Sequence, residues 1–544
     1  MKFIERFLLS KNFPIFLFIV SWIFVFAIYF PGYKAMLIDD GISGLWEFKK
    51  WGFSGYLYSY GMKSFYYGYF GFLAILYFLF GTNPLGWFIV FSFLHALNTT
   101  FIFKAFQKLY TAFALQNGLW IALLGSILFL VSPYQSENII WAATSHYSLT
   151  LFVLLYGIHW ICDFMNKGAS IKSIAIFHSL FIFSLLTLEI SFFFPVIFFL
   201  LFLIILVQQS NPSQAIPYLL KIAMLQIFFI GIYLFFYHSL YGHWIPNRYD
   251  EPHSLNVAKL TTTLAQQTIK LFSFIHFSEY KTREIVYQFC THWKKTSIIL
   301  GTIFLTISLF IFKKDKSKMW LLFFFIISGI LLLYPFLESY FMYLFRIEND
   351  RYLYFGSVFF LQAFVFVLFY FKPIIRIPIV LLYIAAFVYF IFPTVKARRT
   401  SAKLYYNYIQ KFPEVKGGKL FLLNVPNYCA DVYEFRSKSR LPISIEAEYG
   451  MDISKKIVQV ASYSSVSEKD SFEVNRINDT ILFVKTKTNG TWWMSESIGL
   501  TNYENEYYRL EKDEWGGYTL FFKKRLNIED KIYYYSNGRF ILVH

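Results

Sequence analysis

Asp39 and Asp40 are adjacent carboxylates that follow the first apolar run of the chain, about residues 13–30, and its Pro31-Gly32 exit. Acids kept beside a bilayer are costly, so such a pair nominates a reaction or ion site. A carboxylate can take a proton from an attacking hydroxyl if it stays ionised and comes within about 3 Å of it. Two adjacent carboxylates repel one another, which favours protonation of one of them, so a working base here needs a cation at its side. The alternative use of the pair is an Asx-type turn or helix cap ahead of Gly41.

The elements that position such a pair are membrane helices. Of 544 residues, 57% are hydrophobic, 23% aromatic and only 15% charged, which excludes a soluble globule. Apolar stretches near the roughly 20 residues needed to span lipid recur at about 13–30, 84–106, 118–132, 138–161, 172–188, 190–208, 218–240, 297–312, 319–337, 352–371 and 374–393. A further stretch, 65–80, is too short and too rich in Tyr and Gly to be counted with them. Lys2, Arg6 and Lys11 open the chain without a small-residue cleavage pattern, which reads as a retained anchor. Short-loop Lys and Arg then place Lys104, Lys108, Lys167, Lys172, Lys313, Lys314, Lys316, Lys318, Lys372 and Arg376 inside, for about eleven crossings. Asp39, Asp40, Glu137, Glu189, the long connection 242–296 and the loop 338–351 are thereby expected on the outer face together with the carboxyl-terminal tail. Lys49, Lys50, Lys294 and Lys295 run against that scheme.

Hydrophobic runs stop near Lys396, dividing a membrane domain, 1–395 with outer loops 31–83 and 242–296, from a polar region, 396–544, large enough for its own core. A helix is expected at 398–412. Alternation at 419–425, 457–463, 480–486, 518–524 and 531–535 predicts strands, with hairpin turns at Asn489-Gly490 and Asn537-Gly538. Trp492, Trp493 and Trp515 are core or interface aromatics, with sugar stacking as the alternative. The expected fold class is thus a polytopic α-helical membrane protein with a carboxyl-terminal β-rich domain.

The net charge of +17 leaves +12 on the membrane part, since 396–544 hold 23 basic and 18 acidic side chains. Lipid head groups and phosphates are the natural partners of that excess, and no nucleic-acid module is present. Cys162, Cys290 and Cys429 carry no metal spacing; a Cys290–Cys429 bridge requires a proximity that sequence does not show. Walker, dinucleotide-binding and zinc-protease motifs are missing, which disfavours nucleotide-driven transport and zinc chemistry.

The remaining polar residues form an ordered series. After the acidic pair come Leu-Phe-Gly-Thr-Asn-Pro-Leu-Gly (79–86), Phe-Leu-His-Ala-Leu-Asn (93–98) and Phe-Leu-Val-Ser-Pro-Tyr-Gln-Ser-Glu-Asn-Ile-Ile-Trp (129–141). Leu-Thr-Leu-Glu (186–189) and Asn-Asp-Arg-Tyr-Leu-Tyr-Phe-Gly-Ser (349–357) complete it. Over about residues 1–393 this order resembles the GT-C integral-membrane glycosyltransferases, in particular the protein O-mannosyltransferase-like branch that includes the transmembrane and tetratricopeptide-repeat proteins. The family's His-Pro-x-His-x-Glu loop is matched only at Pro133 and Glu137, and its Lys-Glu pair only at Glu189, with Leu188 at the Lys position. Its Arg-x-Leu-Tyr-x-x-Ser stretch is matched by Arg351, Leu353, Tyr354 and Ser357, with Gly356 in place of Pro. No tetratricopeptide repeats follow.

The resemblance implies an inverting, nucleotide-independent transfer of a sugar from a polyprenyl-phosphate donor to a lipid, glycan or protein acceptor outside the cytoplasm, with Asp39 or Asp40 as base. Bacterial inner membrane is the expected location. Family members differ in metal dependence and no metal-ligand cluster can be read here, so a divalent metal stays open. A phosphate leaving group needs charge neutralisation, and a guanidinium fork fits two of its oxygens. Arg351 is the first candidate, against a structural pair with Asp350 or Glu348; Arg346 and Arg248 are outer-loop alternatives. Glu137 has three open uses: orienting acceptor, binding metal or capping the helix near Asn138. Glu189 at a tight reversal needs a partner and could support Arg351 or another cation, and Tyr354 joins these supporting residues. His95 and His146 read as structural, and Asn98 as interhelical glue. The connection 242–296 is either a lid or an interfacial helix with Phe272, Phe274, Ile275 and Phe277 in lipid. Two other functions stay in view: a polysaccharide polymerase or ligase using a lipid-linked glycan, and a lipid or solute transporter.

Overall fold

In hydrocarbon every backbone N–H and C=O must be bonded within the protein, so the apolar runs become helices. The computed structural model describes residues 2–61, 65–168, 170–207, 216–244, 257–277, 280–333, 347–430, 432–435, 437–465, 467, 469–487, 491–493, 502–513 and 516–543. Among these, eight helices are long and apolar enough to cross a membrane: Phe13–Leu37, Pro84–Ala112, Ala142–Met165, Glu189–Leu206, Leu220–Tyr241, Lys294–Lys314, Asp350–Leu368 and Pro373–Gln410. The pair Gly118–Leu130 and Pro133–Ile140, bent by 60° where Pro133 lacks the N–H that would continue the ladder, is either a ninth, broken span or a re-entrant loop. Ile171–Leu185 and Lys318–Leu333 are shorter apolar helices, so each stretch expected to span contains a helix among its described residues, but not every one is long enough alone. Tyr67–Phe80, with 14 residues, is about 21 Å long, short of a hydrocarbon core of about 30 Å.

The helix expected at 398–412 does not exist as a separate element. It is the continuation of the last span, one helix of 38 residues from Pro373 to Gln410. The tail beyond it holds three sheets. Strands lie in all five stretches read from alternation, and Asn537 and Gly538 have φ of 51° and 75°, the paired left-handed geometry of a two-residue hairpin turn closing Ser536 opposite Arg539. Asn489, Gly490 and Trp515 lie outside the described residues. Pairing is not simply hairpin-like: Leu420–Leu422 runs parallel to both Lys531–Ser536 and Ile457–Gln459. A parallel neighbour needs a crossover, and the crossover from residue 430 to 456 contains a helix not anticipated from sequence, Arg440–Tyr449, ended by Gly450 at φ 70°. That helix packs against Asp40–Tyr56, where Lys49 Nζ donates to the Ala447 carbonyl at 3.0 Å. One apolar core runs continuously from the bundle into the tail, and a second lies within the sheets.

The described part of the 242–296 connection is docked. Val257–Ser273 is a helix with Lys270 and Leu271 fully buried. Phe272 and Phe274 pack on Tyr383, Phe274 on Phe387, and Phe277 stacks on Phe390 with centroids 4.3 Å apart. This aromatic patch therefore packs against the last long helix while keeping part of its surface open. The three cysteines are free, and no Cys290–Cys429 bridge forms.

Candidate functional site

The first span leaves its α-helix at Phe30-Pro31 and tightens into a 3₁₀ turn over Phe30–Leu37. Ile38 is extended, and Asp39 then takes φ 55° and ψ −107°, outside the regions L-residues favour, before the helix Asp40–Tyr56 begins. Such a backbone costs of order 1–3 kcal/mol and persists only where surroundings over-determine it. Here Trp141 Nε1 donates to the Ile38 carbonyl at 3.2 Å, Tyr77 Oη to the Gly41 carbonyl at 3.0 Å, and Ser43 Oγ to the Asp39 carbonyl at 3.2 Å. The consequence is a split pair: the Asp39 side chain is fully buried while Asp40 keeps 29% of its side-chain surface. Asp39 stands at the N-cap position without a side-chain capping bond, so the cap reading fails.

The cation this pair needs comes from the tail. Arg440 places Nη2 2.5 Å from Asp40 Oδ1 and Nε 3.5 Å from Asp39 Oδ1, spanning both carboxylates across 400 residues of sequence. Beside them Glu434 is buried and accepts a hydrogen bond from Ser401 Oγ on the long helix. Burial pushes its carboxyl well above the ordinary 4.5; the Ser401 bond opposes this and the Asp39 charge adds to it.

A second array faces the first across Trp141. The Arg351 guanidinium lies 5.5 Å from the Trp141 ring centroid and 4.6 Å from that of Tyr352. Arg351 Nη1 is 2.5 Å from Glu137 Oε1, and its backbone N–H donates to Glu137 Oε2 at 2.9 Å. One indole therefore separates the backbone before Asp39 from Arg351. Next to it, Lys270 and Asp350 form an ion pair of 2.6 Å with both side chains fully buried, and Arg398 is near enough to act on Asp350 electrostatically. Tyr134 Oη donates to the Lys270 carbonyl. Carboxylates Asp39, Asp40, Glu137 and Asp350 are thus balanced by Arg440, Arg351, Lys270 and Arg398, as charges withdrawn from water require.

Tyr354 opens the helix below. Its hydroxyl accepts from Asn98 Nδ2 and Ser148 Oγ, both at 3.2 Å, and lies 3.3 Å from His95 Nδ1. Tyr354 and His95 thereby meet at a three-helix contact, and Asn98, which also donates to the Ser148 carbonyl at 2.9 Å, ties the same helices. Gln135 Nε2 donates to Ser357 Oγ at 3.0 Å.

The sequence-nominated residues Asp39, Asp40, Glu137 and Arg351 come together at one end of the bundle. Glu189 does not: it begins a 3₁₀ turn and forms no ion pair among the described residues, so it supports neither Arg351 nor another described cation. Arg351 pairs with Glu137, a partner that neither phosphate binding nor the alternative structural pair with Asp350 or Glu348 had named. Arg248 and Arg346 lie outside the described residues. Arg440, Lys270, Glu434 and Trp141 were not foreseen; a Trp four residues beyond Pro-Tyr-Gln-Ser-Glu (133–137) carries no local signal of its role. Among the described residues no group of three or more His, Cys, Asp or Glu side chains could hold a metal ion.

Helices of this length and apolarity around a buried charged cluster, with a sheet-rich tail docked on one end, define a polytopic integral membrane protein. No protein-family model matches the sequence, and a comparison with curated proteins gives no match.

Proposed function

We propose that this protein is a glycosyltransferase of the GT-C general type, moving a sugar from a polyprenyl-phosphate donor to an acceptor hydroxyl on the extracytoplasmic face of a bacterial inner membrane. The observation that supports this reading best is the strained, over-determined backbone at Asp39, which splits the acidic pair and sets it one indole away from Arg351. Strain of that kind is stored where geometry matters to function. In this reading Asp40, the accessible carboxylate at a helix N-terminus, takes the acceptor proton, and the helix dipole and Arg440 keep it ionised. Asp39 orients Arg440 through Nε. Arg351 receives the donor phosphate, and Glu137 fixes the guanidinium fork for it.

The test is separate replacement of Asp39 and Asp40 by Asn in purified protein, with binding of a polyprenyl-phosphoryl hexose and transfer of its sugar measured together. Asp40→Asn is expected to retain donor binding and lose turnover; unimpaired transfer in both variants rejects the assignment. The 60° break at Pro133, beside buried Glu137, favours a second reading, since broken helices line substrate paths in transporters. Under that reading lipid or solute crosses a vesicle membrane without formation of a glycosidic bond, and both Asn variants alter crossing.

A further inference from the structure

The helix Val257–Ser273 is amphipathic the wrong way round for a surface element. Thr263, Gln266, Gln267 and Lys270 recur at the spacing of one helical face and are 1%, 0%, 1% and 0% exposed. Lys270 on that face reaches Asp350, which precedes Arg351, so the two glutamines stand about one turn from the charged array. Neither amide oxygen nor amide nitrogen of Gln266 or Gln267 is hydrogen-bonded to any described residue. The same holds for the hydroxyl of buried Tyr29, which lies within electrostatic reach of Asp350. Each buried polar group left unmatched costs about 1–3 kcal/mol. A fold that concentrates several of them on one inward face, where leucines would serve packing better, keeps them for something they bind.

Their chemistry specifies what. Two primary amides, and a phenol within electrostatic reach of the Asp350 that Lys270 pairs with, present neutral donors and acceptors, which match hydroxyl groups, since these also donate and accept. An anion or a cation would be served by the neighbouring Arg351, Lys270 or Asp350. We infer that the Gln266–Gln267 face of this helix, with Tyr29, is a recognition subsite for a neutral polyhydroxylated group, the sugar ring of a lipid-linked donor whose phosphate lies toward Arg351. The inference rests on the glycosyltransferase reading and deepens it: amides one turn from the phosphate site read hydroxyl stereochemistry, so they set which sugar is taken and not whether the lipid phosphate is held. A site built to hydrogen-bond hydroxyls discriminates strongly against partners lacking them.

The experiment compares full-length protein in nanodiscs with undecaprenyl phosphate and with undecaprenyl-phosphoryl glucose, mannose and galactose, reading affinity by native mass spectrometry. The variants are Gln266→Leu, Gln267→Leu and the more conservative Gln266→Asn and Gln267→Asn, whose folding is checked by thermal unfolding. Wild type is expected to bind at least one glycosylated lipid more tightly than the bare phosphate, and the Leu variants to lose about tenfold of that preference each while binding undecaprenyl phosphate unchanged. Asn variants should change the order of preference among the three sugars. If wild type prefers a glycosylated lipid and all folded variants keep that preference, the amides are solvated by water alone and the inference falls. If wild type binds bare and glycosylated lipids equally, or neither, the glycosyltransferase reading falls with it.

Discussion

Truncating Arg440 tests the most specific contact between the tail and the bundle. Arg440→Ala leaves two neighbouring carboxylates, one fully buried, without the cation that spans them. Breaking a fully buried ion pair from one side costs about 3–5 kcal/mol, whereas an exposed pair is worth at most about 1 kcal/mol. Arg440 keeps 21% of its side-chain surface and Asp40 29%, while Asp39 has none, so the expected loss falls between these limits at about 2 kcal/mol. That is roughly a 30-fold increase in the opening of the tail helix from the bundle. Hydrogen–deuterium exchange across residues 440–450 reads it directly. Asp39→Asn removes the stranded charge, so the double variant should recover part of the loss, a non-additivity of about 1 kcal/mol. Unchanged protection over the tail helix in Arg440→Ala, or strictly additive effects in the cycle, would refute the argument that Arg440 neutralises the pair.

Glu434→Gln should flatten the pH dependence of stability. The folded state holds the Glu434 proton well above 4.5, so the unfolded chain binds fewer protons once pH exceeds that value. Stability contributed by the neutral acid is present below about 4.5 and is lost as pH rises toward the folded value; melting profiles of the Gln variant should lack that decline. Gly44→Ala should destabilise by about 1–3 kcal/mol, because a methyl there would lie 2.2 Å from Tyr77 Oη and dislodge the hydroxyl that holds the Gly41 carbonyl; thermal unfolding measures the cost. Glu137→Gln should lose about 3 kcal/mol by stranding the shielded Arg351 charge, whereas Arg351→Lys, which keeps a cation against the carboxylate, should lose visibly less in the same melts.

The bundle was legible because composition and run length are enough to force helices in lipid, and Asp39-Asp40 was legible because charge at a span exit stands out against an apolar background. The tail strands showed in their alternation, and Asn537-Gly538 in its turn chemistry. What escaped was long-range. Arg440 is one of 23 basic residues in its region, and nothing local marks it as reaching residue 40. The Val257–Ser273 helix lies in a stretch that reads from sequence only as polar, and a polar stretch reads by default as the wet one. The missing boundary between the last span and the tail has a similar origin: Lys396, Arg398 and Arg399 mark the end of apolar sequence, but helix propagation across them needs no apolar residue.

The 38-residue helix from Pro373 to Gln410, which carries Pro378 and Pro393 in its interior, is an axle about 57 Å long. Because each residue turns an α-helix by about 100°, the rotational phase at which the tail emerges is set by the number of residues in that axle. Lengthening it by a single position would swing the sheets around the axis and carry the guanidinium of Arg440 off the aspartates, even with every side chain of both partners intact. Spacing along one rod, more than the composition of either surface, decides whether the two halves of the molecule meet in working alignment.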